Sequence, residues 1–275
     1  MYSPFGGPKL MPSAAFCTLG EITYDDKCMP VAAIYDIHAN LPALEAVVRE
    51  IRRASVDQIV VGGDVFPGPM PLETIEYLLK LDMPVRFIQG NGDREVLARM
   101  RGMPATVPEQ AREAINWNAE QLHREHQDLI GSWPKTLALN VAGLGDILFC
   151  HGTPQSDTQM FTRLTPEDRL LPHFACVSES VVVCGHTHMQ FDLMIGSVRV
   201  VNAGSVGMPF GEPGAYWLLL GPGIELRRTS YDLANAAAVI QGTKYPQAQD
   251  FAARNILHPP AEQDMLAAFS RVELN

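Results

Sequence analysis

The sequence has no basic block. Across 275 residues, lysines and arginines never run longer than the pairs Arg52-Arg53 and Arg227-Arg228, and the formal net charge is −10. A protein that holds a long polyanion carries a basic face, so long nucleic acid is not an expected partner; a small anion at a local positive site is compatible with this balance. No apolar run approaches the ~20 residues that span a bilayer, so no membrane partner is expected. The stretch MYSPFGGPKLMPSAAFCTLG holds a single Lys and no sustained apolar core, which makes a poor secretory signal. The cysteines Cys17, Cys28, Cys150, Cys176 and Cys184 are odd in number and show no CxxC spacing. Cys150 and Cys184 sit in apolar runs, as reduced buried thiols do, which points to a reducing compartment and hence a cytoplasmic protein. No internal repeat or low-complexity tract is present, and the composition is compatible with a homo-oligomer.

What is present suits a globular protein: 47% hydrophobic and 19% charged residues, in a chain long enough for a large core. Residues 1–29 are rich in Gly, Pro, Ser and Met with little periodicity, and read as an N-terminal extension; Met29 would be a natural domain start. Residues 30–275 form the expected domain. VAAIY is a short buried strand, and LPALEAVVREIRR a helix with Leu44, Val47, Val48 and Ile51 on one face and Pro42 in its first turn. QIVVGG follows as a strand, PLETIEYLLKL as a helix with Leu72, Ile75, Leu78 and Leu79 inward, and PVRFIQG as a third strand. That alternation predicts a parallel sheet in an α/β protein. A helical insert is expected over about 101–135. Six β-rich runs follow, joined by turns such as GLGD and GPG that suggest hairpins. The tail from about 231 returns to helix, broken at Pro259-Pro260. The predicted architecture is two mixed sheets face to face with helices outside.

The polar residues concentrate at strand ends. The first strand ends in YDIHAN, with Asp36 and His38; the second in GGDV, with Asp64; the third in GNGD, with Asn91. LFCHG ends in His151, and VVVCGHTH in His186 and His188. Asp36, Asp64 and Asn91 are 28 and 27 residues apart, one strand–helix unit each. Parallel strands put their carboxyl ends on one edge, where α/β proteins bind ligands. In extended chain, residues two apart point the same way, so His186 and His188 would share a direction. Each piece alone has an ordinary explanation as a cap, a turn or a packed histidine. The ordered set reads as metal ligands.

This set resembles the calcineurin-like metallophosphoesterases, whose pattern is DxH, GD, GNx(D/E), H and GHxH. The resemblance spans about residues 30 to 210 and is nearest to the small bacterial and archaeal phosphodiesterase-like branch. NAGSVGMP also resembles that branch, although Ala203 stands where Pro is common. The resemblance implies a four-layer α-β-β-α sandwich. It also implies that Asp36, His38 and His188 hold one metal, that Asn91, His151 and His186 hold a second, and that Asp64 bridges them. Two carboxylates against two divalent ions leave the site near +2, or +1 with a bridging hydroxide, which suits a phosphate ester despite the acidic chain. Mixed N and O ligands fit Mn, Fe, Zn or Co better than Ca; two divalent ions are expected, Mn first, with Fe, Zn, Co or Ni as alternatives. The implied activity is hydrolysis of phosphate esters, chiefly phosphodiesters, by in-line attack of the metal-bridging hydroxide. The alternatives are a phosphomonoesterase acting on a nucleotide, a dinucleoside polyphosphate or a phosphoprotein, and a non-catalytic scaffold of the kind the retromer subunit of this fold provides.

The chain departs from the pattern at Gly92, where many members carry a His that serves the leaving group. Its absence puts poor leaving groups in doubt, and Gly92→His is expected to widen the range if no positive φ opposes it. Asp64, Asn91 and Arg94 are the candidate catalytic residues. Arg94 has two readings, a clamp on a phosphate oxygen or a solvated first-turn residue. Asp93 and Asn40 are expected behind the ligands or at helix N-caps, and Tyr35 in the packing. Trp117, His123, His126 and Trp133, in the segment 101–135, could overhang the metals; plain packing is the favoured reading.

Overall fold

The computed structural model describes residues 30–104 and 107–274, apart from the side chain of Gln110. The expected N-terminal extension, with Cys17 and Cys28, lies outside the described residues. Strand β1 (Val31–Ile34) leads to helix α1 (Leu41–Arg53), β2 (Gln58–Val61), α2 (Pro71–Leu79) and β3 (Val85–Phe87). The three strands are parallel and adjacent, with Val31 beside Gln58 and Ile59 beside Val85. Helices α3 (Asn91–Met100), α4 (Glu109–Gln121) and α5 (Arg124–Ser132) follow. Then come β4 (Thr136–Val141), β5 (Gly145–Cys150), α6 (Glu167–Phe174), β6 (Val181–Cys184), β7 (Phe191–Ile195), β8 (Val198–Asn202), β9 (Ala215–Leu220) and β10 (Ile224–Thr229). The chain continues through α7 (Leu233–Gln241), α8 (Ala248–Phe251) with a π-helical turn (Ala252–Leu257), and α9 (Glu262–Phe269). One sheet has the order β10-β9-β1-β2-β3 and the other β4-β5-β6-β8-β7. Both mix parallel and antiparallel pairs, and β4–β5 and β9–β10 are the hairpins the turns predict.

Strand alternation explains why the sheets stack. Along β1, Ala32 and Ile34 face α1 and join Val47, Ile51 and Ile59 in one apolar cluster. Val31, Ala33 and, just beyond the strand, Tyr35 face the second sheet, where they meet Ile147, Phe149, Val181 and Val183. Strands buried on both faces read as continuous apolar runs, as VAAI and VVVC do. Tyr35 is fully buried, and its hydroxyl donates across the sandwich to the Val183 carbonyl at 3.0 Å. Its ring needs space on both sides: a Cβ at Gly62 would stand 1.9 Å from it, and one at Gly185 2.5 Å. Tyr35 therefore explains two glycines at strand ends in opposite sheets.

α1 forms where the pattern predicts, capped by Asn40 and buried through Leu44, Val47, Val48 and Ile51. In α2 the buried stripe runs through Pro71, Thr74, Ile75 and Leu78; Leu79, expected inward, falls on the flank of that stripe and is exposed. The insert packs. Ile115, Leu122, Ile130 and Trp133 enter the core beneath the first sheet, and Trp133 stacks on Phe87 with centroids 4.8 Å apart. Trp117 meets Tyr245 of the C-terminal region edge-on. His126 is buried at the start of α5, where its Nδ1 accepts from the His123 N–H. Among the described residues, no helix is long and apolar enough to cross a membrane.

Candidate metal centre

The turns after β1, β2 and β6 share an uncommon backbone. Asp36, His38, Asp64, His186 and His188 all have φ between 46° and 69°. The left-handed region is sparsely used by residues with a Cβ, though Asp and His are enriched there, and such strain concentrates at functional sites. The turns are laced together to hold it. Asp36 N–H donates to the Gly63 carbonyl, His38 N–H to that of Asp64 and Ala39 N–H to that of Val65. The left-handed backbone also corrects the expectation that His186 and His188 point the same way. They diverge, His188 toward Asp36 and His38, His186 toward Asp64 and His151.

Two clusters result. In the first, His188 Nε2 is 3.3 Å from Asp36 Oδ1 and 3.3 Å from His38 Nε2. In the second, the ligand atoms of Asp64, His151 and His186 lie within 4.8 Å of one another. Asp64 and Asp36 connect the two: Asp64 Oδ2 is 3.9 Å from His38 Nε2 and 3.5 Å from His151 Nε2, and Asp36 Oδ1 is 3.8 Å from His151 Nε2. One side-chain atom of Asn91 lies 3.1 Å from His151 Nε2, 3.0 Å from His186 Nδ1 and 3.1 Å from the Asp157 carbonyl; facing three acceptors it is the amide nitrogen, with the oxygen accepting from the Gly92 N–H at 3.2 Å, and a half-turn of the amide presents the oxygen instead. All seven sequence-predicted ligands meet at one edge shared by both sheets.

The outer nitrogens explain which inner ones are bare. His38 Nδ1 faces the Pro67 carbonyl at 3.1 Å, His151 Nδ1 that of Gly62 at 3.0 Å and His188 Nδ1 that of Met208 at 2.7 Å. His186 is reversed, with Nε2 facing the Thr158 carbonyl at 3.3 Å. A ring nitrogen facing a carbonyl carries the proton and leaves its partner as a lone-pair donor. So Nε2 of His38, His151 and His188, and Nδ1 of His186, point inward unprotonated in the neutral rings. Asp36 Oδ2 accepts from the His186 N–H at 2.8 Å, while Oδ1 is buried with no hydrogen-bond partner. Lone pairs of carboxylates and imidazoles converging at one point describe a cation site. Ligand atoms about 2.0–2.2 Å from one ion lie roughly 3–4 Å apart, as these do. The residues present therefore fit transition-metal ions.

The electrostatics agree. Burial disfavours charge on every group here, yet the histidines keep Asp36 and Asp64 below the usual carboxylate range. Against the same burial, the Asp64 carboxylate pushes His151 up to about 10, and Asp36 raises His188. His186, half-buried and beside His151, falls to about 4 through desolvation and then the charge of His151. The carboxylates call for positive charge at the centre.

The remaining predicted residues form supports. Asp93, at the start of α3, is fully buried and accepts from the N–H groups of Asp64, Phe66 and Gly90 at 2.9, 3.1 and 3.0 Å. Burial and then the Asp64 charge push its carboxyl upward, while those N–H donors pull it back. Asn40 caps α1, accepting from Ala43 N–H, and its amide donates to the Gly207 carbonyl at 3.0 Å. Arg94 grips Asp157 through Nε at 2.7 Å and Nη2 at 3.3 Å, and reaches Glu95 through Nη1. It is neither a plain solvated residue nor a free cation, because three of its donors are already committed. Gly92 corrects another expectation. Its φ is not positive, and the obstacle is space: a Cβ there would stand 2.3 Å from the Phe66 carbonyl oxygen and 3.0 Å from Asp64 Oδ1. No side chain can be restored at this position without moving backbone.

Sequence reasoning missed several supports. Asn202 donates to the Gly185 carbonyl at 2.6 Å and to Thr187 at 3.1 Å, holding the GHTH turn. The Ser205 hydroxyl donates to the Asp36 carbonyl at 2.8 Å. Asn118 holds Gly68 through both its N–H and its carbonyl. Only the NAGSVGMP stretch signalled the first two; nothing local signals Asn118, fifty residues from its partner.

Fold and site together define a class, an α/β sandwich with a carboxylate–imidazole centre on the edge its sheets share. Residues 29–220 match the calcineurin-like phosphoesterase superfamily domain, and the chain belongs to that family, which is metal-dependent and acts on phosphate esters. It is 27% identical over 195 residues to phosphodiesterase YfcE of Escherichia coli, covering 67% of this chain and 83% of YfcE. It is 25% identical over 239 residues to an uncharacterised protein of Methanocaldococcus jannaschii, covering 79% of this chain and 94% of that one. A crystal structure of a hypothetical protein from Pyrococcus horikoshii has the same fold, with a TM-score of 0.72 at 20% identity over 85% of this chain and all of that one.

Proposed function

We propose that the protein hydrolyses phosphate esters, chiefly phosphodiesters, at a centre of two divalent transition ions. One observation carries this reading. The buried, unpartnered Asp36 Oδ1 lies 3.3–4.0 Å from the inward nitrogens of His188, His151 and His38, whose outer nitrogens are all occupied by carbonyls. Asp36, His38 and His188 would hold one ion, Asn91, His151 and His186 the other, and Asp64 would sit between them. Such ions, when bound, acidify a water for attack on phosphorus and neutralise the ester oxygens. The mixed nitrogen and oxygen donor set suits Mn, Fe, Zn or Co better than Ca; Mn is the ion proposed, with Fe, Zn, Co or Ni as alternatives.

The chain's own residues do the rest. The carbonyls of Pro67, Gly62 and Met208 keep three imidazoles in the tautomer that presents Nε2. The Gly92 N–H, 2.7 Å from Asp64 Oδ1, leaves Oδ2 free to face both clusters. Gly92 offers no proton to the departing oxygen, so an ester whose alcohol leaves as a stable anion is the preferred class. General acid catalysis contributes about 10²–10⁴-fold where it exists. The resemblance to a phosphodiesterase supports the diester preference. The buried free thiols Cys150 and Cys184 support a reducing location, the cytoplasm.

The test is turnover by Mn²⁺-loaded protein of bis(4-nitrophenyl) phosphate against a simple alkyl phosphomonoester, with metal content measured alongside. The expected result is two ions per chain and fast turnover of the nitrophenyl diester only. Two ions bound with no turnover of either ester would leave a scaffold.

A further inference from the structure

The predicted metal ligands end at His188 and the matched family region at residue 220, yet residues 260–274 reach back to the loops behind both clusters. α9 and the turn after it, through Leu274, lie against the two loops that carry the outer partners of His186 and His188.

The first loop follows β5. Its Thr158 carbonyl faces His186 Nε2, and its Asp157 carbonyl lies 3.1 Å from the Asn91 side chain. The C-terminal segment fastens it at three points. Leu274 N–H donates to the Met160 carbonyl at 3.0 Å, the Thr162 hydroxyl donates to the Glu273 carboxylate at 3.1 Å, and Arg163 pairs with Glu262. Glu273 is only 5% exposed, and Arg169 of α6 supplies its counter-charge and also donates to its carbonyl at 3.1 Å. A buried carboxylate is costly unless it is paired and hydrogen-bonded, and covering apolar surface does not require one.

The second loop follows β8. Its Met208 carbonyl accepts from His188 Nδ1, and the Phe210 ring stacks on the His188 imidazole with centroids 5.4 Å apart and planes 20° apart. The same segment fastens this loop too. Gly211 N–H donates to the Pro260 carbonyl at 2.8 Å, and the Phe269 ring meets Phe210 at 5.9 Å and 61°.

We propose that residues 260–274 are a clamp that positions His186 and His188 for metal. Phe269 acts through Phe210 on the first cluster, and Glu273 acts through the loop after β5 on the second. Both are positioning residues, since neither touches the centre. The inference rests on the two-ion reading above and assigns a task to a segment outside the matched family region. Losing a partner behind a metal ligand typically weakens metal binding about 10–100-fold.

The experiment is calorimetric titration of metal-free protein with Mn²⁺, at least 20 °C below the melting temperature of each variant. Wild type should take up two ions. Phe269→Ala and Glu273→Ala should each weaken one ion about 10-fold or more, and the double variant both. Phe269→Tyr, which keeps the ring edge against Phe210, should restore wild-type affinity. Should Phe269→Ala not fold, Phe269→Leu keeps the apolar cover and removes the ring. Ile51→Val, buried in α1, is the control for general destabilisation and should leave both affinities in place. Folded Phe269 and Glu273 variants that bind two ions as tightly as wild type would overturn the clamp while leaving the two-ion reading intact. Wild-type protein that takes up no Mn²⁺ would remove that reading, and the clamp with it.

Discussion

The two clusters are built differently. The first, around Asp36, His38 and His188, is backed by main-chain carbonyls of Pro67 and Met208 in turns that are bonded to one another and to the core: Gly207 N–H donates to Asp36, and Val206 N–H to Tyr35. The second, around Asp64, Asn91, His151 and His186, leans on the loop after β5, and a side-chain pair, Arg94–Asp157, holds that loop to α3. The carbonyls of the first cluster cannot be deleted by substitution; the ion pair of the second can. Both clusters thus lean on main-chain carbonyls, and side chains reach them by different routes, the first through the Phe210 ring on His188 and the second through the Arg94–Asp157 ion pair.

The largest expected effect removes what the clusters share. Asp64→Asn should lower kcat/KM on bis(4-nitrophenyl) phosphate more than about 100-fold, beyond the range expected for a partner behind a ligand. Asn91→Ala, confined to the second cluster, should cost less. Equal, mild losses from both would erase the distinction between a shared and a private ligand.

Next comes the support unique to the second cluster. Arg94→Ala should weaken one of two bound Mn²⁺ ions about 10–100-fold in a calorimetric titration. Arg94→Lys should recover little, because one ammonium cannot reproduce the paired Nε and Nη2 grip. If Arg94 instead clamps phosphate, KM rises while both ions stay tight.

Gly92 tests how rigidly the clusters meet. Adding a Cβ against the Phe66 carbonyl is overpacking that costs typically 1–3 kcal/mol. Gly92→Ala should therefore melt roughly 2–12 °C lower, using the ~2–4 °C per kcal/mol of a chain this size. Gly92→His should fall further and gain no activity toward alkyl esters. A stable Gly92→His variant with widened leaving-group range would show that the turn yields.

The smallest effect falls on a histidine outside both clusters. Burial lowers the pKa of His126 from its ordinary value, so below about pH 6.5 the unfolded chain takes up this proton more readily than the folded one. Stability from His126 is complete above that pH and is lost as pH falls through it toward the folded value. Metal-loaded wild type should lose more melting temperature between pH 7.5 and pH 5 than His126→Gln does. An equal loss would place the acid sensitivity elsewhere.

The parts of this fold set by local pattern were legible in the sequence. α1 matches its periodicity residue for residue, because cap, proline and apolar stripe agree, and Asp36, Asp64 and Asn91 fall at strand ends on one edge because βα units of nearly equal length bring them there. What escaped is what depends on distance. That His186 and His188 part company follows from left-handed backbone that no residue type announces, since glycine would be the ordinary occupant. That Arg94 faces Asp157, or Asn118 faces Gly68, depends on pairs more than forty residues apart. The crowding at Gly92 comes from a carbonyl in another turn, and a one-dimensional reading could register only the missing side chain.

Tyr35 has a consequence beyond packing. Its ring fills the space vacated by one glycine from each sheet, and its hydroxyl is tied to the far sheet, so the layers are keyed together beside the site. The first sheet supplies Asp36, His38, Asp64 and Asn91, and the second supplies His151, His186 and His188. Neither layer owns all seven of the proposed ligands. Opening the sandwich and dissolving the centre are then one event seen from two sides, and any ion held there acts as a rivet between layers, coupling the lifetime of the bound metal to the lifetime of the closed fold.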